Sequence, residues 1–104
     1  MRDYKDYKYT WDPDKNRKNI DRHRVSFSEA KTAFFDKNVV TIKDLTHSTH
    51  DEDRLLIIGN SRKSQILLVC FCIRYEDTIR IFSARVAGPD WVQVYENGGL
   101  DLYE

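Results

Sequence analysis

Lys15, Asn19 and His23 recur at four-residue spacing, with Lys18 and Arg22 beside them. On a helix these residues form one stripe of cations and hydrogen-bonding groups. Such a stripe can face a phosphate-bearing ligand. It can equally be the solvated side of a surface helix anchored by its one large apolar residue, Ile20. His47 and His50 lie three apart beside Asp51, Glu52 and Asp53. A zinc-type site needs a further ligand cluster, and the sequence offers none, so a solvated loop and no metal are expected. Cys70 and Cys72 sit two apart in an apolar run. In a strand they share a face with side chains projecting in parallel, a poor geometry for a disulfide, so they read as buried packing groups.

The elements that must position these side chains are organised around Ile66–Ala87. Ile66–Ile73 has no charge, Pro or Gly, which fits a strand covered on both faces. Tyr75-Glu76-Asp77-Thr78 is short enough for a hairpin turn. In the run that follows, Ile79, Ile81 and Ser83 alternate with Arg80, Phe82 and Ala84.

Upstream, Tyr7–Trp11 reads as a short edge strand with Tyr7, Tyr9 and Trp11 on one side. Asp12-Pro13 starts a helix, Asp as N-cap and Pro at the first position, that runs to about His23. Ser26-Phe27-Ser28-Glu29 reads as a capping box in which Glu29 reaches back, with Val25 and Ala30 as a hydrophobic staple. Phe27, Ala30, Ala33 and Phe34 give this second helix a docking face, and it stops near Phe35. Val39–Asp44 and Arg54–Gly59 read as strands, the second closed by a hairpin loop at Asn60–Gln65. Trp91, Val94 and Tyr95 fall at helical spacing, and Gly98-Gly99 ends that short helix. The expected fold class is α+β: a largely antiparallel sheet with two N-terminal helices packed on one face and a short C-terminal helix.

With 104 residues the chain is expected to be one domain with a core of its own. No apolar stretch approaches the ~20 residues of a spanning helix, and the N-terminus lacks a signal-peptide pattern. A soluble cytoplasmic protein without a membrane partner is the expectation. Formal net charge is zero, yet all 17 Lys and Arg lie in Met1–Arg85, and four of the 17 acids lie beyond. A mildly basic body suits phosphates or an acidic partner, but the charge alone does not argue nucleic-acid binding.

The combination of Trp11-Asp12-Pro13, Lys15, Asn19, His23 and Val25-Ser26-Phe27-x-Glu29-Ala30 resembles the BrnT toxin family. So do Glu52-x-Arg54, Gly59, Ile79-Arg80-Ile81-x-Ser83-Ala84-Arg85 and Tyr95-Glu96. The resemblance covers roughly residues 9–96 and leaves 97–104 as an acidic tail. It implies a RelE-like fold, a ribonuclease toxin of a type II toxin–antitoxin system, and inhibition of bacterial growth. It also implies a BrnA-like ribbon-helix-helix antitoxin as partner, with a toxin–antitoxin heterotetramer as the assembly. The sequence departs from the family in three respects. Arg24 stands where a glycine usually follows the histidine, the segment after Arg85 is apolar rather than basic, and Trp91 replaces an acid.

Under that resemblance the chemistry is RNA cleavage by the substrate's own 2′-hydroxyl. It needs a base, an acid and cations at the phosphorus, and no metal or other cofactor. Arg80 and Arg85 are the candidates for the phosphate. Lys15, Lys18 and Arg54 are the candidates for RNA binding. His23 or Glu52 would move the proton, histidine being the side chain whose ordinary pKa lies nearest neutrality. Arg80 and Arg85 are five apart, so in a regular strand they project from opposite faces. They share a site only if a bulge intervenes or if Arg85 lies past the sheet's end. The alternative function is a weak or inactive module that mainly binds its antitoxin for transcriptional control. A stand-alone nucleic-acid binder is disfavoured because no recognition helix or aromatic stacking platform emerges.

Overall fold

The apolar run at Ile66–Ile73 becomes the middle strand of a five-stranded sheet. The computed structural model describes residues 3–44 and 53–99. The strands are β1 (Lys8–Thr10), β2 (Val40–Lys43), β3 (Leu55–Asn60), β4 (Ile66–Arg74) and β5 (Thr78–Val86). Their order across the sheet is β1-β5-β4-β3-β2. Neighbours from β2 to β5 are antiparallel, and β1 joins the outer side of β5 in parallel through Lys8–Thr10 alone. The helices are α1 (Pro13–His23), α2 (Phe27–Ala33) and α3 (Pro89–Glu96), with a 3-10 turn at Tyr4–Asp6.

Alternation along β4 feeds two separate cores, which is why its sequence is apolar on both sides. Leu67, Val69 and Phe71 face α2 and pack with Phe27, Ala30, Ala33, Phe34, Ile57, Ile79 and Ile81. Tyr4 sits edge-on to Phe34 and Phe71, and these two meet edge-on at 4.9 Å. Such pairs each add about 0.5–1.5 kcal/mol beyond their buried area. On the other face Ile58 and Leu68 pack with Ala87, and Trp91, Val92, Val94 and Tyr95 of α3 lie against them. Gly59 lets α2 sit close to the sheet, since a Cβ there would stand 2.3 Å from the Ala33 carbonyl oxygen. Cys70 and Cys72 lie on the α3 face, half-buried and buried, and are not joined in a disulfide.

Asp12 accepts from the Asp14 amide, and Pro13 begins α1 as expected. Arg24 ends α1 in the left-handed conformation, at φ 59° and ψ 28°, donating its amide to the Ile20 carbonyl. The chain therefore makes the turn that usually takes glycine with an arginine. Besides Ser64 in the β3–β4 loop, the adjacent residues Tyr75 and Glu76 also have positive φ, 56° and 67°. Both fall within the β4–β5 turn, where the Asp77 amide donates to the Arg74 carbonyl. Positive φ at both central residues is the requirement of a type I′ hairpin turn.

Two local expectations need correction. Ser26 caps α2 by accepting from the Glu29 amide, but the Glu29 carboxylate does not reach back. It is buried and accepts from Ser61 Oγ at 2.7 Å and Gln65 Nε2 at 2.9 Å, tying α2 to the β3–β4 loop. Nor does Ile20 anchor α1, because it is 37% exposed. The polar Asn19 is the buried residue of that helix.

Candidate functional site

β1 covers β5 only as far as Arg80, so the outer backbone edge of β5 beyond it needs another partner. Asn19 supplies one. Its Nδ2 donates to the Ala84 carbonyl and the Val25 carbonyl, each at 2.8 Å, and its Oδ1 accepts from the Ala84 amide at 3.2 Å. A buried amide thus completes the strand edge and clamps α1 along it, which satisfies backbone groups that burial would otherwise leave unpaired. Asn19 therefore serves the scaffold, although it also borders the cleft beside α1. Asn16 is scaffold too, accepting from the Phe27 amide at the start of α2.

The clamp fixes which residues of α1 face outward. Lys15, Lys18, Arg22 and His23 line a cleft of about 260 Å³ that is closed on the β5 side by Phe82 and Ser83. His23 is half-buried there, while Lys15 and Lys18 are exposed.

A bulge settles the arrangement of the two arginines. Cys70 pairs with Ser83, yet the next residue, Phe71, pairs with Ile81, which leaves Phe82 as the extra residue of β5. Directly paired residues share a face, and Leu68, Cys70 and Cys72 alternate regularly on β4. Their partners Arg85, Ser83 and Arg80 are therefore all on the α3 face. The extra residue reverses the parity that would have separated Arg80 from Arg85. Their partners Leu68 and Cys72 are four residues apart, roughly 13 Å along a strand at ~3.3 Å per residue. The two arginines share a face but start far apart along it.

Arg85 lines a second, larger cleft of about 530 Å³ with Arg54 and Lys43. Its lining also includes Ile42, Leu56, Leu68 and Trp91 as apolar surface, with Asp44, Cys70 and Ser83. The two clefts meet at β5, since Ser83 lines both. Phe82 joins them physically. The Arg54 guanidinium lies 4.1 Å from its ring centroid and Lys15 Nζ lies 5.4 Å from it. Both distances are within cation–π range. Arg80 lines neither cleft, and Glu52, His47 and His50 fall outside the described residues. Among the described residues neither Arg80 nor Arg85 pairs with an acid. Nor do the described residues hold a group of three or more His, Cys, Asp or Glu placed to bind a metal.

Helix α3 closes one end of the larger cleft, and Asp36 holds it there. The Tyr95 hydroxyl donates to Asp36 Oδ2 at 2.5 Å, and the amides of Asn60 and Asn38 donate to the same carboxylate. Burial raises the Asp36 pKa, but these hydrogen bonds outweigh it and hold the carboxyl below its ordinary value. The bond to Asp36 pushes the Tyr95 phenol up to about 12. Tyr95 and Asp36 thus join α3 to the end of α2 and the end of β3, a structural latch away from the cations. At the helix end, the amides of Gly98 and Gly99 return to the carbonyls of Tyr95 and Val94.

The fold and its cationic face define a class: a mostly antiparallel α+β protein with two basic clefts meeting on its central hairpin. The family of ribonuclease toxins BrnT of type II toxin–antitoxin systems matches residues 11–90, and the chain belongs to it. The crystal structure of the Brucella abortus ribonuclease toxin BrnT superposes with a TM-score of 0.57 at 23% identity. The overlap covers 79% of this chain and 97% of that one, and it bears on the fold. No curated protein sequence matches the chain.

Of the residues singled out by spacing, the structure brings Lys15, Lys18 and His23 together, and separately Arg54 and Arg85. Phe82 and Lys43 escaped that reading, and Trp91 entered it only as a helix residue standing where the family has an acid. The signal for Phe82 was its place between Ile81 and Ser83, where it breaks the apolar alternation once Ala84 is known to be inside. Lys43 carried only its position next to Arg54 across a predicted strand pair. Trp91 lies one residue beyond the family match.

Proposed function

We propose that the chain is a metal-independent endoribonuclease toxin whose active face is the pair of clefts joined at Phe82 and Ser83. The observation that carries the reading is the bulge at Phe82. It sets Arg85 and Ser83 facing Arg54 while Phe82 and Ser83 also close the His23 cleft.

In this reading Arg85, Arg54 and Lys43 hold the scissile phosphate and offset the charge that grows on its oxygens. Lys15 and Lys18 guide the adjoining backbone, and Arg80 contacts it further along the same face. His23 or Glu52 takes the 2′-hydroxyl proton. The 2′-oxygen then bonds to phosphorus and the bond to the 5′-oxygen breaks as that oxygen gains a proton. The products are a 2′,3′-cyclic phosphate and a free 5′-hydroxyl. The charge role that a metal plays elsewhere falls here to guanidinium and ammonium groups. The partner is a ribbon-helix-helix antitoxin of the BrnA kind that covers this face, and growth inhibition follows when it is missing.

Induction in bacteria without an antitoxin tests the reading. Arrested growth with fragmented RNA is expected, and both should disappear on co-expression of the antitoxin. Loss of one general acid or base costs about 10²–10⁴-fold in rate, so comparing His23→Ala with Glu52→Gln assigns the proton transfer. Normal growth with intact RNA overturns the toxin reading and leaves the antitoxin-binding module in its place.

A further inference from the structure

The larger cleft has a composition that phosphate binding alone does not require. Its floor is apolar: Ile42, Leu56 and Leu68 from three adjacent strands, with the half-buried Trp91 at one side. Its rim carries Lys43, Arg54 and Arg85 against Asp44, with Asp53 3.8 Å from the Lys43 ammonium, so cations outnumber acids by three to two. The volume of about 530 Å³ lies inside the range of roughly 300–1,000 Å³ typical of ligand clefts. A bare phosphate or a sugar–phosphate backbone has nothing to bury on such a floor.

We infer that this cleft is a nucleobase subsite, in which an unpaired base of the RNA lies on the apolar floor against the Trp91 ring while its phosphate meets Arg85 and Lys43. The inference rests on the ribonuclease reading and adds the form of substrate it takes. Charge complementarity selects the occupant, because a nucleotide joins a flat apolar body to an anion at the distance of one sugar. A base inside an A-form duplex is stacked on both faces and cannot enter, so the substrate is single-stranded or locally unpaired. Trp91 sits in the first turn of α3, and the Tyr95–Asp36 latch fixes that helix against the sheet. The stacking surface is therefore held in place before RNA arrives.

The probe is a short 2′-O-methyl oligoribonucleotide, which lacks the nucleophile and stays intact. Binding is read by tryptophan fluorescence, with Trp11 as the internal reference because it packs edge-on to the buried Phe27. Binding should quench Trp91. An abasic site at one position of the probe should weaken binding roughly 5- to 100-fold, the range for loss of one aromatic–base stack. The same sequence as a duplex should bind with no Trp91 quenching. For the variants that lack the reporter, binding is read by the fluorescence anisotropy of an end-labelled probe: Trp91→Leu, which keeps an apolar floor, should lose that sensitivity to the abasic site, and Trp91→Tyr should restore it. Salt-dependent binding that is equal for intact and abasic probes at every position overturns the base subsite and leaves the ribonuclease reading standing. Absence of any binding overturns both. Quenching of Trp91 by an acidic peptide and not by the oligonucleotide assigns the cleft to a protein partner and overturns the inference.

Discussion

Asn19→Ala is the substitution that most directly tests how α1 is held. The side chain is 7% exposed and makes three hydrogen bonds, at 2.8, 2.8 and 3.2 Å, to backbone groups of Val25 and Ala84. A net contribution of about 0.5–1.5 kcal/mol each gives a loss of roughly 1.5–4.5 kcal/mol. The upper half applies if water does not reach the three backbone groups left behind. Against a typical total of about 5–15 kcal/mol the loss is large. At ~4–8 °C per kcal/mol it should lower Tm by about 6–36 °C. Urea unfolding followed by circular dichroism should show a lower midpoint with an unchanged slope. Asn19→Leu keeps the volume and loses the bonds, so it should be no more stable than Asn19→Ala. Asn19→Asp can accept from the Ala84 amide but sets a carboxylate against two carbonyl oxygens. It should be destabilised at neutral pH and partly recover as acid protonates it. A loss under about 0.5 kcal/mol in Asn19→Ala, or full stability in Asn19→Leu, would refute the clamp.

Arg24→Gly removes a left-handed residue that costs about 1–2 kcal/mol but adds about 0.5–1 kcal/mol of backbone entropy, so denaturant unfolding should show a net gain of up to about 1 kcal/mol. Replacing Tyr75-Glu76 by Asn-Gly suits the type I′ turn and should raise stability by about 1 kcal/mol or more, measured the same way. Gly59→Ala places a Cβ against the Ala33 carbonyl and should cost about 1–3 kcal/mol, with lower soluble yield. The latch should show in pH-dependent unfolding. The folded-state pKa of Asp36 is lowered, so its contribution is present above the unfolded carboxylate range and lost as pH falls through the folded value. Tyr95 is raised to about 12, so its contribution is full below about 10 and lost as pH rises toward 12. Tyr95→Phe should lessen the alkaline loss, leaving the part due to Tyr9 and Tyr4, whose phenols burial also pushes up, and Asp36→Asn should lessen the acid one.

Local signals carried most of the fold. The Asp12-Pro13 start, the Ser26 cap, the two-faced apolar run of β4 and the terminal glycines each specify their element through neighbours in sequence, and each element stands where that chemistry put it. The errors arose where a side chain answers to a distant partner. Glu29 sits at the capping-box position, but Ser61 and Gln65 hold its carboxylate from more than thirty residues away. Ile20 looks like the anchor of a polar helix. The unpaired edge of β5 beyond Arg80 gives that role to Asn19, and no periodicity in α1 can announce a strand edge. The parity of Arg80 and Arg85 turned on one inserted residue. Sequence reading framed that question correctly, and only the register of β4 against β5 could answer it. Phe82 and Trp91 were not placed at a site, because regular alternation gave Phe82 only the side of Arg80 and Ala84 and helical spacing gave Trp91 only its helix. The register of β5 and the packing of α3 set them at the cleft walls.

In the proposed mechanism, guanidinium groups of Arg85 and Arg54 and ammonium groups of the flanking α1 and β2, with no metal, drive attack by the RNA's own 2′-hydroxyl. The direct measurement incubates the purified chain with an end-labelled single-stranded RNA in a chelator and analyses the product ends. The account predicts cleavage at the wild-type rate in chelator, 2′,3′-cyclic phosphate and 5′-hydroxyl ends, and no cut at a 2′-deoxy position. It also predicts a fall of about 10²–10³-fold in Arg85→Ala, the usual cost of removing a charge-stabilising donor. Cleavage abolished by the chelator, products ending in 3′-hydroxyl and 5′-phosphate, or full activity in Arg85→Ala would contradict it.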